Sequence, residues 1–271
     1  MLSLIRPEFP RSNHYDPLWM LDGQMGPNAL WLTEWLTEAM TLTPGMRILD
    51  LGCGKALSSI FLAREFDVVV HAVDLWIGPD RNWQRIQDAG VGDRVCPLRA
   101  EAHALPFANN YFDAAISIDA YLYFGTDELY LNYLARFVRP GGQLGVVAPG
   151  LIRPVVAAEA PHLFSPQSNG KVFWEDECRS FKTADFWCRL WESCASVTNV
   201  SVATDPDGWR HWRDFERAII DAGKGFFPSD DEALDRDQGQ FIGVHRLVAQ
   251  RSERQGPNLY DPNLGLLVGV E

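Results

Sequence analysis

Asp50-Leu51-Gly52-Cys53-Gly54-Lys55-Ala56 is the stretch of this chain whose residue types and spacing could do chemistry. A short apolar run from Arg47 to Leu51 leads into it, and a helical pattern from Ala56 to Phe66 leads out. Two glycines one residue apart permit a sharp turn and let a ligand approach the main chain closely. The helix beyond offers free N–H groups and the positive end of its dipole to a carboxylate or phosphate. Cys53 is expected to contribute its backbone, and Asp50 to accept hydrogen bonds from the loop amides. A second apolar run, Val68 to Asp74, ends in a carboxylate twenty residues past Gly54, with Leu75 beside it. A carboxylate so placed can accept hydrogen bonds from both hydroxyls of a ribose. The chemistry implied is the binding of a nucleoside that carries an anionic group. A dinucleotide fingerprint needs a small residue three positions after its second glycine. That position is Leu57 here, and the small residue falls one place earlier, at Ala56, which disfavours NAD or FAD.

The elements that must position these residues alternate. Strands are predicted at Val95 to Ala100, Phe112 to Asp119 and, after a Pro140-Gly141-Gly142 turn, Gln143 to Ala148; helices are predicted at Pro27 to Met40, Asn82 to Ala89 and Asp127 to Val138. Alternation of this kind predicts a parallel, doubly wound sheet with helices on both faces, and near-continuous apolar strands fit burial on both sides. Beyond it, Thr183 to Cys194 and Gly208 to Ala222 read as helices, Val197 to Ala203 and Phe241 to Ala249 as strands, and Pro228 to Gln240 as an acidic loop. The first 25 residues and the tail from Arg251 to Glu271 read as irregular.

Composition narrows the partners. The 271 residues carry 24 Lys and Arg against 36 Asp and Glu, a net charge of −12, with no basic run. That counts against nucleic acid or an anionic membrane, both of which reward clustered cations. No segment approaches the roughly 18 apolar residues of a membrane span, and the N-terminus lacks a signal peptide's apolar core, so a cytoplasmic protein is expected. Five cysteines (Cys53, Cys96, Cys178, Cys188, Cys194) form no CxxC pair, which predicts reduced thiols and no structural zinc.

The series of motifs resembles the class I S-adenosylmethionine-dependent methyltransferases. It comprises Asp50, Gly52 and Gly54, with Ala56 where that family commonly has a third glycine. Asp74 follows, then Glu101-Ala102 with Leu105-Pro106-Phe107, then Phe112-Asp113-Ala114, and finally Arg139-Pro140-Gly141-Gly142. The likeness covers about Met46 to Gly150. It implies an α/β, Rossmann-like, doubly wound seven-stranded sheet, mostly parallel with an antiparallel last strand at Phe241 to Ala249, plus a helical cover. It also implies one domain over residues 1–271: a cover segment (1–45), a cofactor core (46–150), substrate-cover insertions with the last strands (151–250) and a tail (251–271). The cofactor implied is S-adenosyl-L-methionine, held by Asp50, Gly52, Cys53, Gly54, Asp74, Leu75, Glu101, Ala102 and Asp119. Glu101 stands where the family more often has aspartate. The activity implied is in-line transfer of a methyl group to a small-molecule acceptor. A nicotinamide-dependent oxidoreductase and a catalytically silent nucleoside-binding module are the rival readings.

Strand carboxyl ends face the ligand crevice in doubly wound folds, which makes Asp119, Tyr121 and Tyr123 candidates for the substrate pocket. His103, which follows the adenine-binding segment, is the candidate base among the histidines. Within Asn13-His14-Tyr15-Asp16, His14-Tyr15-Asp16 is similar to a segment of the cyclopropane-fatty-acid-synthase-like branch, which implies that Tyr15 closes over the cofactor near its sulfonium. The catalytic candidates are therefore His103, Asp119, Tyr121 and Tyr15. Tryptophans gather near the N-terminus (Trp19, Trp31, Trp35) and between the last strands (Trp174, Trp187, Trp191, Trp209, Trp212), the two regions that commonly cover the substrate in the family. They suit core filling between helices, or a cover for a cationic or flat acceptor. The fifth strand ends Ala148-Pro149-Gly150, without the acidic ligands of the metal-using members, so no metal is expected. No motif sets the acceptor atom or the oligomeric state.

Overall fold

The computed structural model describes residues 3–224 and 230–258. Seven strands form one sheet: β1 (Arg47–Leu51), β2 (Val69–Asp74), β3 (Val95–Arg99), β4 (Phe112–Ile118), β5 (Val138–Leu151), β6 (Val197–Asp205) and β7 (Ile242–Arg251). Their order is β3-β2-β1-β4-β5-β7-β6. The first five run parallel, and β7 is antiparallel to both β5 and β6. The antiparallel strand expected at Phe241 to Ala249 is thus present, inserted between two neighbours rather than at an edge. The order reverses at β1, which lies between β2 and β4, and the crevice of a doubly wound sheet opens at the carboxyl ends where that happens.

The helices are α1 (Pro17–Asp22), α2 (Ala29–Thr37), α3 (Leu57–Phe66), α4 (Pro79–Asp88), α5 (Tyr130–Ala135), α6 (Pro161–Phe164), α7 (Ala184–Glu192), α8 (Gly208–Asp221) and α9 (Asp230–Asp237). Successive residues of a strand face opposite sides. Leu49 and Leu51 accordingly join one apolar cluster with Tyr121, Phe137 and Trp191, while Ile48 joins another with Ile60, Ile86 and Ala114. The same alternation sends Asp50 to the Ile48 side, where α3 begins.

Several elements differ from the sequence expectation. Pro27 lies outside α2, whose N-cap is Asn28; its side chain accepts from the Leu30 and Trp31 amides. The Pro140-Gly141-Gly142 turn is a kink within β5, marked by a register shift against β4 and by φ +75° at Gly141. The acidic stretch is largely helix α9, with Asp230, Asp231 and Glu232 in its first turn, where carboxylates complement the dipole; residues 228–229 and the tail from 259 onward lie outside the described residues. The N-terminus is more ordered than its composition implies. Asp16 caps α1 with Pro17 at its first position. The carboxylate of Glu34, 4% exposed, accepts from the Arg11 amide (2.8 Å) and from the amide (2.8 Å) and hydroxyl (2.6 Å) of Ser12, which docks the segment onto α2.

Ala56 precedes α3 with φ +64°, in the left-handed region. The family's glycine at this position is therefore a matter of backbone angle as well as size. An alanine there carries about 1–2 kcal/mol of strain, against a smaller entropic penalty for glycine in the unfolded chain. Ala56→Gly is expected to gain about 0.5–1 kcal/mol, seen as a higher urea midpoint at an unchanged slope.

Candidate functional site

The glycine loop is braced from β2 and α4. The amides of Gly52 and Cys53 both donate to the carbonyl of Val73 (2.8 and 3.0 Å), the Gly54 amide donates to Asp74 Oδ2 (2.8 Å), and Asn82 Nδ2 donates to the Gly54 carbonyl (2.8 Å). These three loop amides, expected to grip a ligand, instead turn back onto the neighbouring strand. Asp50 is also corrected. Its Oδ2 accepts the hydroxyls of Ser58 and Ser59 (2.6 Å each) rather than loop amides, and its Oδ1 has no partner. Complete burial raises its pKa to about 6, against the lowering effect of the two serines. Cys53 is buried, and burial with Asp50 and Asp74 nearby pushes its thiol up, so it supplies no thiolate.

Both glycines are required by position. Gly52 has φ +76°, and a Cβ there would stand 2.3 Å from the Cβ of Ala120; Gly54 has φ +52°, with Met25 Sδ at 2.9 Å. Asp74 ends β2 in a tight turn whose Trp76 and Ile77 amides donate to Oδ1 (2.8 Å each). With Gly54 on Oδ2, three of a carboxylate's roughly four acceptor positions are taken. One remains, where two ribose hydroxyls were expected to bind. Leu75 is exposed and Trp76 is 74% exposed, forming an apolar surface beside this carboxylate. Glu101 accepts the His103 amide on Oε2 and meets His103 Nδ1 through Oε1, both at 2.8 Å, while the Ala102 carbonyl accepts from the Tyr130 hydroxyl (3.1 Å).

Over the loop lies the segment joining α1 to α2. Lys55 Nζ donates to the carbonyls of Asp22 and Gln24 (3.0 Å each). Met25 covers Gly54, and Gly26 lies so near Asp119 that a Cβ would come within 2.4 Å of Oδ2. Asp119, just past β4, has φ +53°, a strained angle of the kind that gathers at functional sites. It lines a cavity of about 430 Å3 together with Gly26, Tyr123, Phe173, Trp212 and Asp230.

Of the four catalytic candidates, only Asp119 borders this cavity. Tyr121 is fully buried, ringed by Phe124, Tyr130, Trp187 and Trp191, whereas Tyr123 is 51% exposed on the cavity rim. His103 pairs with Glu101 and stands edge-on to Tyr130 (4.9 Å), away from the cavity wall. Tyr15, expected to close over the cofactor near its sulfonium, donates to Glu65 near the far end of α3 and packs on Phe61 and Trp19. Sequence reasoning missed the acidic residues of the cavity that come from the later segment: Glu175, Glu177 and Asp230. Among the described residues, no three His, Cys, Asp or Glu side chains come together as a metal ion would require.

Burial and the neighbouring Asp230 push the Asp119 carboxyl up to about 8 from an ordinary 3.8. A carboxyl raised by folding keeps its proton in the folded chain after the unfolded chain has lost it, so stability falls as pH rises across that interval. Asp230, raised to about 8, and Glu216, raised to about 9, act in the same direction. Asp119→Asn is expected to flatten the decline by about 1–2 kcal/mol, discounted because the group opens onto the cavity. Urea unfolding of both proteins at about pH 5 and about pH 8.5 checks it; equal declines would show that Asp119 does not carry the shift.

Residues 48–142 match a family described as a methyltransferase domain. The chain is 29% identical over 220 residues to the methyltransferase GfsG of Streptomyces halstedii, covering 76% of this chain and 74% of that protein. Its fold superposes on phosphoethanolamine N-methyltransferase 2 of Haemonchus contortus, solved with S-adenosyl-L-methionine, at a TM-score of 0.67 with 15% identity, over 92% of this chain and 61% of that one. It superposes on geranyl diphosphate C-methyltransferase of Streptomyces coelicolor A3(2) at 0.60 with 15% identity, over 81% and 78%. These two likenesses are of fold.

Proposed function

We propose that this chain is a class I S-adenosylmethionine-dependent methyltransferase and that it methylates a small-molecule acceptor held in the cavity beside Asp119. The observation that carries the reading is the position of that cavity: it opens past the carboxyl end of β4, next to the point where the strand order reverses, with the glycine loop and Asp74 on the adjoining strand ends. The rival nicotinamide reading is disfavoured by Leu57, which is buried against Gly23 where a dinucleotide fold needs a small residue.

Bound S-adenosylmethionine supplies an electrophilic methyl group on a sulfonium. In our reading, the remaining acceptor position of Asp74 takes a ribose hydroxyl, and Leu75 with Glu101-Ala102 lies along the adenine. The unpartnered carboxyl of Asp119 faces the amino-acid end. Catalysis then rests on holding the acceptor in line and excluding water. Asp119 is raised to about 8, so it holds its own proton below that pH and takes an acceptor proton only in its ionised form. We also propose a cytoplasmic site of action, supported by five cysteines that are all free thiols.

Calorimetry with S-adenosylhomocysteine is the first test, followed by its release from S-adenosylmethionine in a coupled assay over a metabolite panel. Micromolar binding is the expected result, and no heat at millimolar ligand would sink the reading.

A further inference from the structure

The acceptor cavity has a charge its size and location do not explain. It is bordered by four carboxyl groups, Asp119, Glu175, Glu177 and Asp230, against one basic side chain, Lys171. None of the four makes a side-chain hydrogen bond or ion pair among the described residues, although most other acids of the chain find an arginine, histidine or amide. Burial first, and then Glu175, Glu177 and Asp231, raises Asp230; burial first, and then Asp230, raises Asp119, so these acids also disturb one another. Glu216, buried one turn past Trp212 on α8, feels Asp230 and Asp119 as well, and its Oε1 has no partner. The wall behind the acids is aromatic: Trp212 lies 5.8 Å from Phe173 and 6.4 Å from Phe181, with Tyr123 on the rim.

Burial and crowding hold Asp119 and Asp230 protonated in the empty cavity; an organic cation favours their ionised form and so binds with release of a proton, while its carbon skeleton covers the rings. A metal ion is the other species acids attract, but it needs several donors converging on one point, and among the described residues no three do so. We infer that the acceptor is an organic cation, an amine protonated at neutral pH, whose ammonium group sits among Asp230, Glu175 and Glu177 against the Phe173–Trp212 wall. Asp119 Oδ2 lies beside Gly26, on the same segment as the Met25 that covers Gly54, so in this reading the cation is an anchor distinct from the cofactor's own charges. This assignment rests on the methyltransferase reading and names the substrate class for the same site.

The test uses the full-length protein saturated with S-adenosylhomocysteine, titrated calorimetrically with 2-phenylethylammonium, its neutral isostere 2-phenylethanol, and 3-phenylpropanoate. The ammonium ion is expected to bind at least about tenfold more tightly than the alcohol, and the carboxylate not at all. Asp230→Asn and, at an exposed rim position less prone to disturb folding, Glu177→Gln are each expected to weaken the ammonium about three- to tenfold. Affinity for the alcohol and for S-adenosylhomocysteine should stay unchanged. Failure of the ammonium to bind, a preference for the alcohol or the carboxylate, or indifference to both substitutions overturns the cationic assignment and leaves the methyltransferase reading standing. Failure of S-adenosylhomocysteine to bind overturns both.

Discussion

Asp74→Ala is expected to lose about a hundredfold in affinity for S-adenosylhomocysteine, roughly 2.7 kcal/mol. Two contributions add. The direct one is a charge-assisted hydrogen bond to the ribose, about 1.5–3 kcal/mol. The indirect one comes from the Gly54, Trp76 and Ile77 amides, which converge on this carboxylate and would lose their acceptor. The loop that faces the cofactor would loosen together with the turn beside it. Asp74→Asn separates the two, because its amide oxygen can still accept from part of the turn while the charge is gone; it is expected to fall between wild type and alanine. Calorimetric affinities of the three proteins settle the matter, and an alanine variant that binds normally would take Asp74 out of the site.

Gly52→Ala is expected to cost about 3–4 kcal/mol of stability, a large effect for one added methyl group. The added Cβ meets two independent obstacles: a φ of +76° and the Cβ of Ala120 at 2.3 Å. Ala120 sits just past β4, so neither backbone can yield without disturbing the β1–β4 pairing. Ala120→Gly in the same chain should return the steric part, roughly half, and leave the angular part. The coupling between the two positions, read from denaturant midpoints of all four proteins, is the check. Additive effects would mean the two carbons do not meet.

What is legible in the sequence, and what is not, follows from how local each signal is. β1, the glycine loop, α3 and β2 are adjacent in the chain, so their apolar runs and punctuation set both the strand–turn–helix and the place of Asp74. α9 escapes a reading of its apolar pattern because only Ala233 and Leu234 mark its buried side, although three acids in its first turn are a helix-start signal. Tyr121 and Tyr123 look equivalent if strand-like alternation continues past β4. They lie instead in a short 3-10 turn, where a spacing of two turns side chains well apart, one into the core and one to the cavity rim. The acids of the cavity come from two distant segments, and no window of sequence shows Glu175, Glu177 and Asp230 as neighbours. The expectation for Tyr15 rests on a three-residue likeness, and so short a motif says nothing about which end of α3 it meets.

The docking of Arg11 and Ser12 onto Glu34 has a practical side for anyone shortening the chain. All three donors to that carboxyl group come from these two residues. A truncation that starts at Asn13 would leave it enclosed with nothing to bind, at a cost of about 1–3 kcal/mol. The lost strength would surface in α2, so expression trials that shorten the N-terminal segment should begin upstream of Arg11.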